Sequence, residues 1–273
     1  MIKFQRGFTL VEAVVAIVIT GIVAAMVSMF IRVPIQQYMD AESRAAITDV
    51  ADTALRRVGR DLRLALPNSV RVDLSGKYIE FLMTSGGGRY LAEDDGVAVG
   101  NVLDFMDGTK MTFDVLGPVP LNVAGNDIVV YNLGPGITPA DAYDCGTSCN
   151  RAAIFGVAGN TLTMASNPFA AQPADQKMRS PSHRFQVVTG PVSYGCAGGT
   201  LTRYSGYAIA AAQSTTPGGT ASVLATGVTD CSFSYAPLVN QRSALVGLWI
   251  QLQNAAGDEF ITLFHQVHVD NSP

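Results

Sequence analysis

A chain of 273 residues can hold one anchor and one or two folded units. Its formal charge of −4 argues against nonspecific nucleic-acid binding, which needs a basic surface. The four cysteines all lie between Cys145 and Cys231, and an even count in an exported domain favours disulfides over a reduced cytosolic setting.

The start of the chain organises the rest. Lys3-Phe4-Gln5-Arg6-Gly7-Phe8-Thr9-Leu10-Val11-Glu12 precedes an uncharged run from Ala13 to Ile31. As a helix rising about 1.5 Å per residue, that run covers roughly 28 Å, close to the ~30 Å hydrocarbon core of a bilayer. Lys3 and Arg6 favour a cytoplasmic tail, and a small residue at Gly7 leaves the backbone accessible to a peptidase. Glu12 is the anomaly, because a carboxylate at the mouth of a spanning helix is expensive to bury and usually faces a partner. An ordinary secretory signal, with Val23-Ala24-Ala25 as its cleavage site, explains less, since Glu12 interrupts the apolar region such a signal needs.

Arg6-Gly7-Phe8-Thr9-Leu10-Val11-Glu12 before an apolar helix resembles the processing signal of type IV pilins and type II secretion pseudopilins. The resemblance implies that residues 1–7 form a leader, that prepilin peptidase cuts between Gly7 and Phe8, and that Phe8 is then N-methylated. It implies that Glu12 guides assembly by pairing with the N-terminal amine of a neighbouring subunit. The expected setting is the inner membrane, crossed once with the C-terminal domain in the periplasm, and then the pilus. The partners implied are the peptidase, other major and minor pilins and the pilus assembly platform, with no nucleic acid and no cofactor. Losing residues 1–7 leaves 16 basic against 22 acidic side chains, a charge of −6.

Beyond the membrane part, residues 8–31, the pattern predicts a helix continuing to Leu66, with Pro34 as a kink and residues 35–66 as an amphipathic spine. Ile47, Val50, Ala51, Ala54, Val58 and Leu62 form one apolar stripe, the side that packs on a globular domain. Asp40 with Arg44, Asp52 with Arg56 and Arg57 with Asp61 are four-residue pairs suited to wet faces. Leu66-Pro67-Asn68 ends the helix, whose straight length from Phe8 is about 88 Å.

After Pro67 the period becomes two. Tyr78 to Met83, Met111 to Val115 and Asp127 to Tyr131 read as strands, with Ile79, Phe81 and Met83 on one face and Glu80 on the other. Val246, Leu248, Ile250 and Leu252 line one face of a strand that turns through Asn254 to Asp258 into Glu259 to Val269. Residues 165–184, with Pro168, Pro173 and Pro181, read as a mobile loop. The predicted class is α+β: a long N-terminal membrane-spanning helix over 8–66 packed on a single antiparallel β-rich domain over 67–273.

Later patches narrow the resemblance. Ala54 to Arg71, Arg184 to Val188 and His265 to Asn271 are similar to minor pilins of the mannose-sensitive haemagglutinin (MSHA) type IV pilus. Those proteins, and the similar J-type pseudopilins, are implied to start or cap a pilus and are not enzymes. Two departures are the absence of a proline before Pro34 and the Cys145-Gly146-Thr147-Ser148-Cys149 insert. A type II secretion J-like pseudopilin and a surface- or glycan-binding tip module are the alternatives.

Other chemistry finds weaker support. The four cysteines lack the paired short spacings of a zinc ribbon. Of their three possible pairings, Cys145 with Cys149 and Cys196 with Cys231 is preferred, the second closing a loop and contributing roughly 3 to 4 kcal/mol. His265 and His268, with Asp270 nearby, point to opposite faces of a strand. Glu93-Asp94-Asp95-Gly96 with Asp104 and Asp107 matches no calcium loop and reads as a solvated acidic region. Ser182 beside His183 carries no catalytic motif, and no nucleophile elbow, phosphate loop or metalloprotease helix is present. No metal and no catalytic residue are assigned. The leading expectation is therefore testable at the N-terminus: the intact mass of membrane-extracted protein should correspond to a chain beginning at methylated Phe8, whereas a terminus near Met26 would mark a secretory signal.

Overall fold

A computed structural model describes residues 7–96, 99–146, 148–236 and 242–273, apart from the side chain of Val33. Lys3, Arg6 and the rest of residues 1–6 lie outside it. One helix, α1 (Leu10–Leu62), runs from a Thr9 cap and continues through Pro34. Its first half stands clear of the domain, with Ile17, Met29 and Phe30 72%, 76% and 79% exposed.

The helix stops four residues short of Leu66. Leu64 and Ala65 close the last turn with amide bonds to the carbonyls of Asp61 and Leu62. Leu66 then donates to Leu82, and Thr84 donates to Leu64, so strand pairing takes the chain before Pro67 is reached. Backbone groups left over at a helix end need partners, and a strand supplies them here.

Among the described residues twelve strands follow: β1 (Arg71–Val72), β2 (Tyr78–Tyr90), β3 (Thr112–Leu116), β4 (Asp127–Val129), β5 (Arg151–Ala158), β6 (Thr161–Met164), β7 (Arg184–Ala197), β8 (Thr200–Ser205), β9 (Thr220–Thr226), β10 (Val228–Tyr235), β11 (Ser243–Gln253) and β12 (Phe260–Asp270). Every pairing is antiparallel. The architecture is α+β, one long apolar N-terminal helix on an antiparallel β-rich domain, as the pattern of the chain predicts.

β2 and β7 are long enough to serve two cores. Their first paired part, Tyr78 to Met83 against Gly190 to Gly195, packs Phe81, Val192 and Tyr194 toward α1. A register shift at Thr84 turns the pair, and Thr84 to Arg89 against Arg184 to Val188 then belongs to a barrel. That barrel closes through β2, β3, β6, β5, β4 and β7, each bonded to the next and the last to the first. Inside sit Phe105, Phe113, Ile128, Leu162, Phe169 and Phe185. Gly88 is required there, because a Cβ would lie 2.7 Å from the Phe185 ring.

α1 meets the domain between two layers, the β2, β7, β8 and β9 side of the large sheet and the small sheet β10, β11, β12. Ala51, Ala54, Leu55, Val58 and Leu62 are buried with Leu201, Ala225, Phe233, Val246, Leu248, Ile250 and Val267. Val50, expected in the stripe, is 41% exposed, and Leu55 takes its place in the core at 5%. A helix enclosed on two sides buries a wider arc than a single stripe. The expected hairpin forms, with β11 and β12 in register from Ser243 opposite Asp270 to Gln253 opposite Phe260. Asn254 Oδ1 holds the turn by accepting the amides of Gly257, Asp258 and Glu259.

Residues 165–184 are pinned, not mobile. Phe169 is fully buried in the barrel, Asn167 donates to the carbonyls of Asp104 and Lys110 at 2.7 and 3.0 Å, and Gln172 ties Cys149 to Met178. The prolines set direction while buried side chains supply the attachment. Truncation separates the helix positions: Leu62→Ala should cost about 2–5 kcal/mol, and Val50→Ala should stay within about 0.5 kcal/mol, as read by urea unfolding of the full chain in detergent.

Candidate functional site

The N-terminal site is built by the first turn of α1. Thr9 has extended backbone geometry, and its hydroxyl accepts the Glu12 amide at 3.3 Å. Glu12 Oε2 accepts in return from the Thr9 amide at 3.0 Å and the Thr9 hydroxyl at 2.9 Å. This reciprocal clamp satisfies donors that a helix start leaves free. A partner for Glu12 was expected only from another subunit, but its own turn supplies two bonds through one oxygen. Oε1 accepts no hydrogen bond among the described residues. Cleavage between Gly7 and Phe8 would leave the Thr9 amide intact, so the clamp does not depend on the leader. Gly7 has open space around it, and Phe8 is 80% exposed.

Where α1 enters the domain, two charged contacts fix it. Arg44 makes a two-pronged pair with Glu259, Nε to Oε2 at 3.0 Å and Nη2 to Oε1 at 2.8 Å, joining the helix to the β11–β12 turn. The four-residue pattern assigned Arg44 to Asp40; the planar fork of arginine fits a carboxylate held by a tight turn. Further along, Asp61 is 5% exposed and accepts from the Tyr194 hydroxyl at 2.7 Å and from Arg203 Nε at 2.8 Å, with Arg57 at 3.3 Å. Spacing found Arg57 and Asp61 but put Asp61 on a wet face. Burial, and then the hydrogen bond to Asp61, push the Tyr194 hydroxyl well above its usual range. Arg56 and Asp52 do pair on the exposed side, at 2.6 Å.

A second buried acid was also missed. Glu80, 2% exposed, accepts from Arg71 and from the hydroxyls of Ser193 and Tyr207, while the Arg71 guanidinium lies 3.7 Å from the Tyr143 ring centre. Strand alternation placed Glu80 on the face opposite Ile79, Phe81 and Met83 without giving it a partner, and in the structure both faces of β2 are covered. A basic residue nine positions earlier, at the facing point of β1, was the available signal.

The remaining candidates have structural partners. Cys145 bonds to Cys149 and Cys196 to Cys231, which leaves no thiolate from these residues for zinc. His265 turns toward α1 at Gly59 and His268 is exposed on the opposite face of β12. The acidic run Glu93–Asp95 forms a short 3-10 turn whose carboxylates have partners: Asp95 meets Arg89 and the His183 ring, Asp94 meets the His183 ring, and Glu93 meets Arg179. Asp104 and Asp107 cap nearby amides. Among the described residues no group of three potential ligands could hold a metal ion.

Residues 2–28 match the family described as the prokaryotic N-terminal methylation motif. That motif, the apolar helix behind it and the antiparallel domain give the chain a type IV pilin-like arrangement, and they support membrane anchoring. No curated protein and no solved structure is significantly similar to it.

The contact between helix and hairpin turn has a pH signature. Hydrogen bonds from Arg44, reinforced by its charge, hold the Glu259 carboxyl below its usual range. A depressed carboxylate contributes stability above its unfolded pKa and loses it as pH falls through the folded value. Exchange protection in residues 254–261, corrected for intrinsic rates, should therefore drop on acidification; Glu259→Gln should show the loosened turn already at neutral pH and little further change.

Proposed function

We propose that this chain is a minor pilin of an MSHA-type type IV pilus, of the MshO kind, that is processed by prepilin peptidase and helps to initiate the filament or build its tip. The observation that supports this most is the Gly7-Phe8-Thr9-Leu10-Val11-Glu12 string at the mouth of a helix whose apolar half touches nothing in its own domain. Lipid covers that half before assembly, and the helices of neighbouring subunits cover it afterward. The family to which this motif points is generally structural and non-enzymatic.

Glu12 has the central role in this reading. Its Oε2 is oriented by Thr9, which leaves Oε1 for the amine that cleavage would create on Phe8 of the next subunit. Unlike charges attract far more strongly near the apolar core than in water. Desolvation cancels much of that gain, so the pair sets register between helices more than it adds net stability. The type II secretion alternative shares the same N-terminal chemistry, and recovery with pili, not with a secretion complex, separates the two.

Glu12→Leu should still be cleaved and membrane-inserted, yet should recover partner pilins poorly and lower pilus number. Glu12→Gln retains the Thr9 clamp and tests the charge alone. Normal piliation and normal partner recovery from the Glu12→Leu strain would overturn the assembly role.

A further inference from the structure

Between α1 and β12 runs an open groove of about 540 Å³, lined by Asp52, Arg56, Gly59, Arg60, Arg63 and His265. It is basic in a chain that is acidic overall. Arg56 is paired with Asp52, but Arg60 and Arg63 are exposed and have no carboxylate partner among the described residues. Gly59 draws the helix close to the strand here, since a Cβ would lie 3.3 Å from Val267 and 3.4 Å from His265 Nε2.

The strand beside this groove is unpartnered along its outer side. β12 is the last strand of the β10, β11, β12 sheet and pairs with β11 over its whole length. No backbone group of Phe260–Asp270 bonds to any element other than β11 among the described residues. An edge strand of this length offers roughly 37 Å of alternating free amides and carbonyls. Two usual protections of an edge are missing, since β12 contains no lysine and no proline, and Phe260 and Phe264 are 53% and 61% exposed.

We infer that the α1–β12 groove receives an acidic extended segment of a neighbouring, different pilin, which adds to the β12 edge as a strand while its carboxylates pair with Arg60 and Arg63. This deepens the assembly reading and rests on it. The two halves of the site select one ligand chemistry. A strand edge recognises peptide backbone, and unpaired arginines in a groove recognise carboxylates. A polyanion such as nucleic acid would satisfy the arginines and leave the edge unused. A second copy of this chain is a poor donor, because its acidic run Glu93–Asp95 is already folded into a turn and engaged by Arg89, Arg179 and His183.

The test uses the full-length chain in cells, with a photo-crosslinking amino acid in place of Gln266 on β12. Irradiation should join it to a different pilin, and mass spectrometry should place the link in an acidic stretch. Arg60→Glu with Arg63→Glu should reduce that product at least tenfold, while Arg60→Lys with Arg63→Lys keeps most of it. Matching melting curves for the variants and the parent exclude misfolding, since both arginines are exposed. A crosslink only to a second copy, co-purification of nucleic acid lost with the arginines, or an undiminished product in the double glutamate variant would overturn the inference. Failure of the parent chain to be cleaved or to co-purify with any pilin would instead overturn the assembly reading on which it rests.

Discussion

The structure depends on the burial of one stretch of helix, Ala51 to Leu62, between two sheets. Up to about Ala46 the helix has no interior of its own to face, and from Ala51 it becomes the interior of a domain. Small side chains make this possible. Ala51, Ala54 and Gly59 let strands approach the helix axis, and Leu55, Val58 and Leu62 fill the space between them. Asp61 then adds direction, because its bonds to Tyr194 and Arg203 can be made at only one rotation of the helix. A buried ion pair of this kind adds little net stability against an apolar substitute, but it penalises the wrong register strongly.

How far such an arrangement can be read from sequence depends on the range of the interaction. The apolar run and the β11–β12 hairpin are local patterns, and each was legible; the Thr9–Glu12 cap was equally local but was passed over because Glu12 was assigned to another subunit. The N-terminal methylation motif was legible too, because its specificity lies in a few adjacent residues. What else escaped was set by layers distant in the chain. Val50 and Leu55 exchange roles because a second sheet wraps the helix. Glu80 goes inside because the second face of β2 meets Arg71, Ser193 and Tyr207. Arg44 passes over Asp40 for Glu259, more than two hundred residues away. The end of the helix moved for the same reason, a strand competing for carbonyls and amides that Pro67 was expected to release.

The domain beyond the helix is divided between closure and openness. The six-strand circuit through β2 and β7 has no edge, and its loop from 165 to 184 is tied down by Phe169 and Asn167. The small sheet ends on β12. The closed part resists unintended strand pairing, whereas β12 leaves an edge open beside α1.

The Cys196 to Cys231 bond crosses between β7 of the large sheet and β10 of the small one, the two layers that enclose α1. Any pull on the apolar half of α1 enters the domain along the axis of the enclosed helix. Without a covalent link, the layers could part like a clothes peg and release the helix with few bonds broken at once. With the link, separation is blocked near Cys231, and the helix has to slide out with the contacts of its own Val58, Asp61 and Leu62 loaded together. The bond thereby changes the geometry of failure from peeling to shear, and resistance to force can exceed what equilibrium stability alone would indicate.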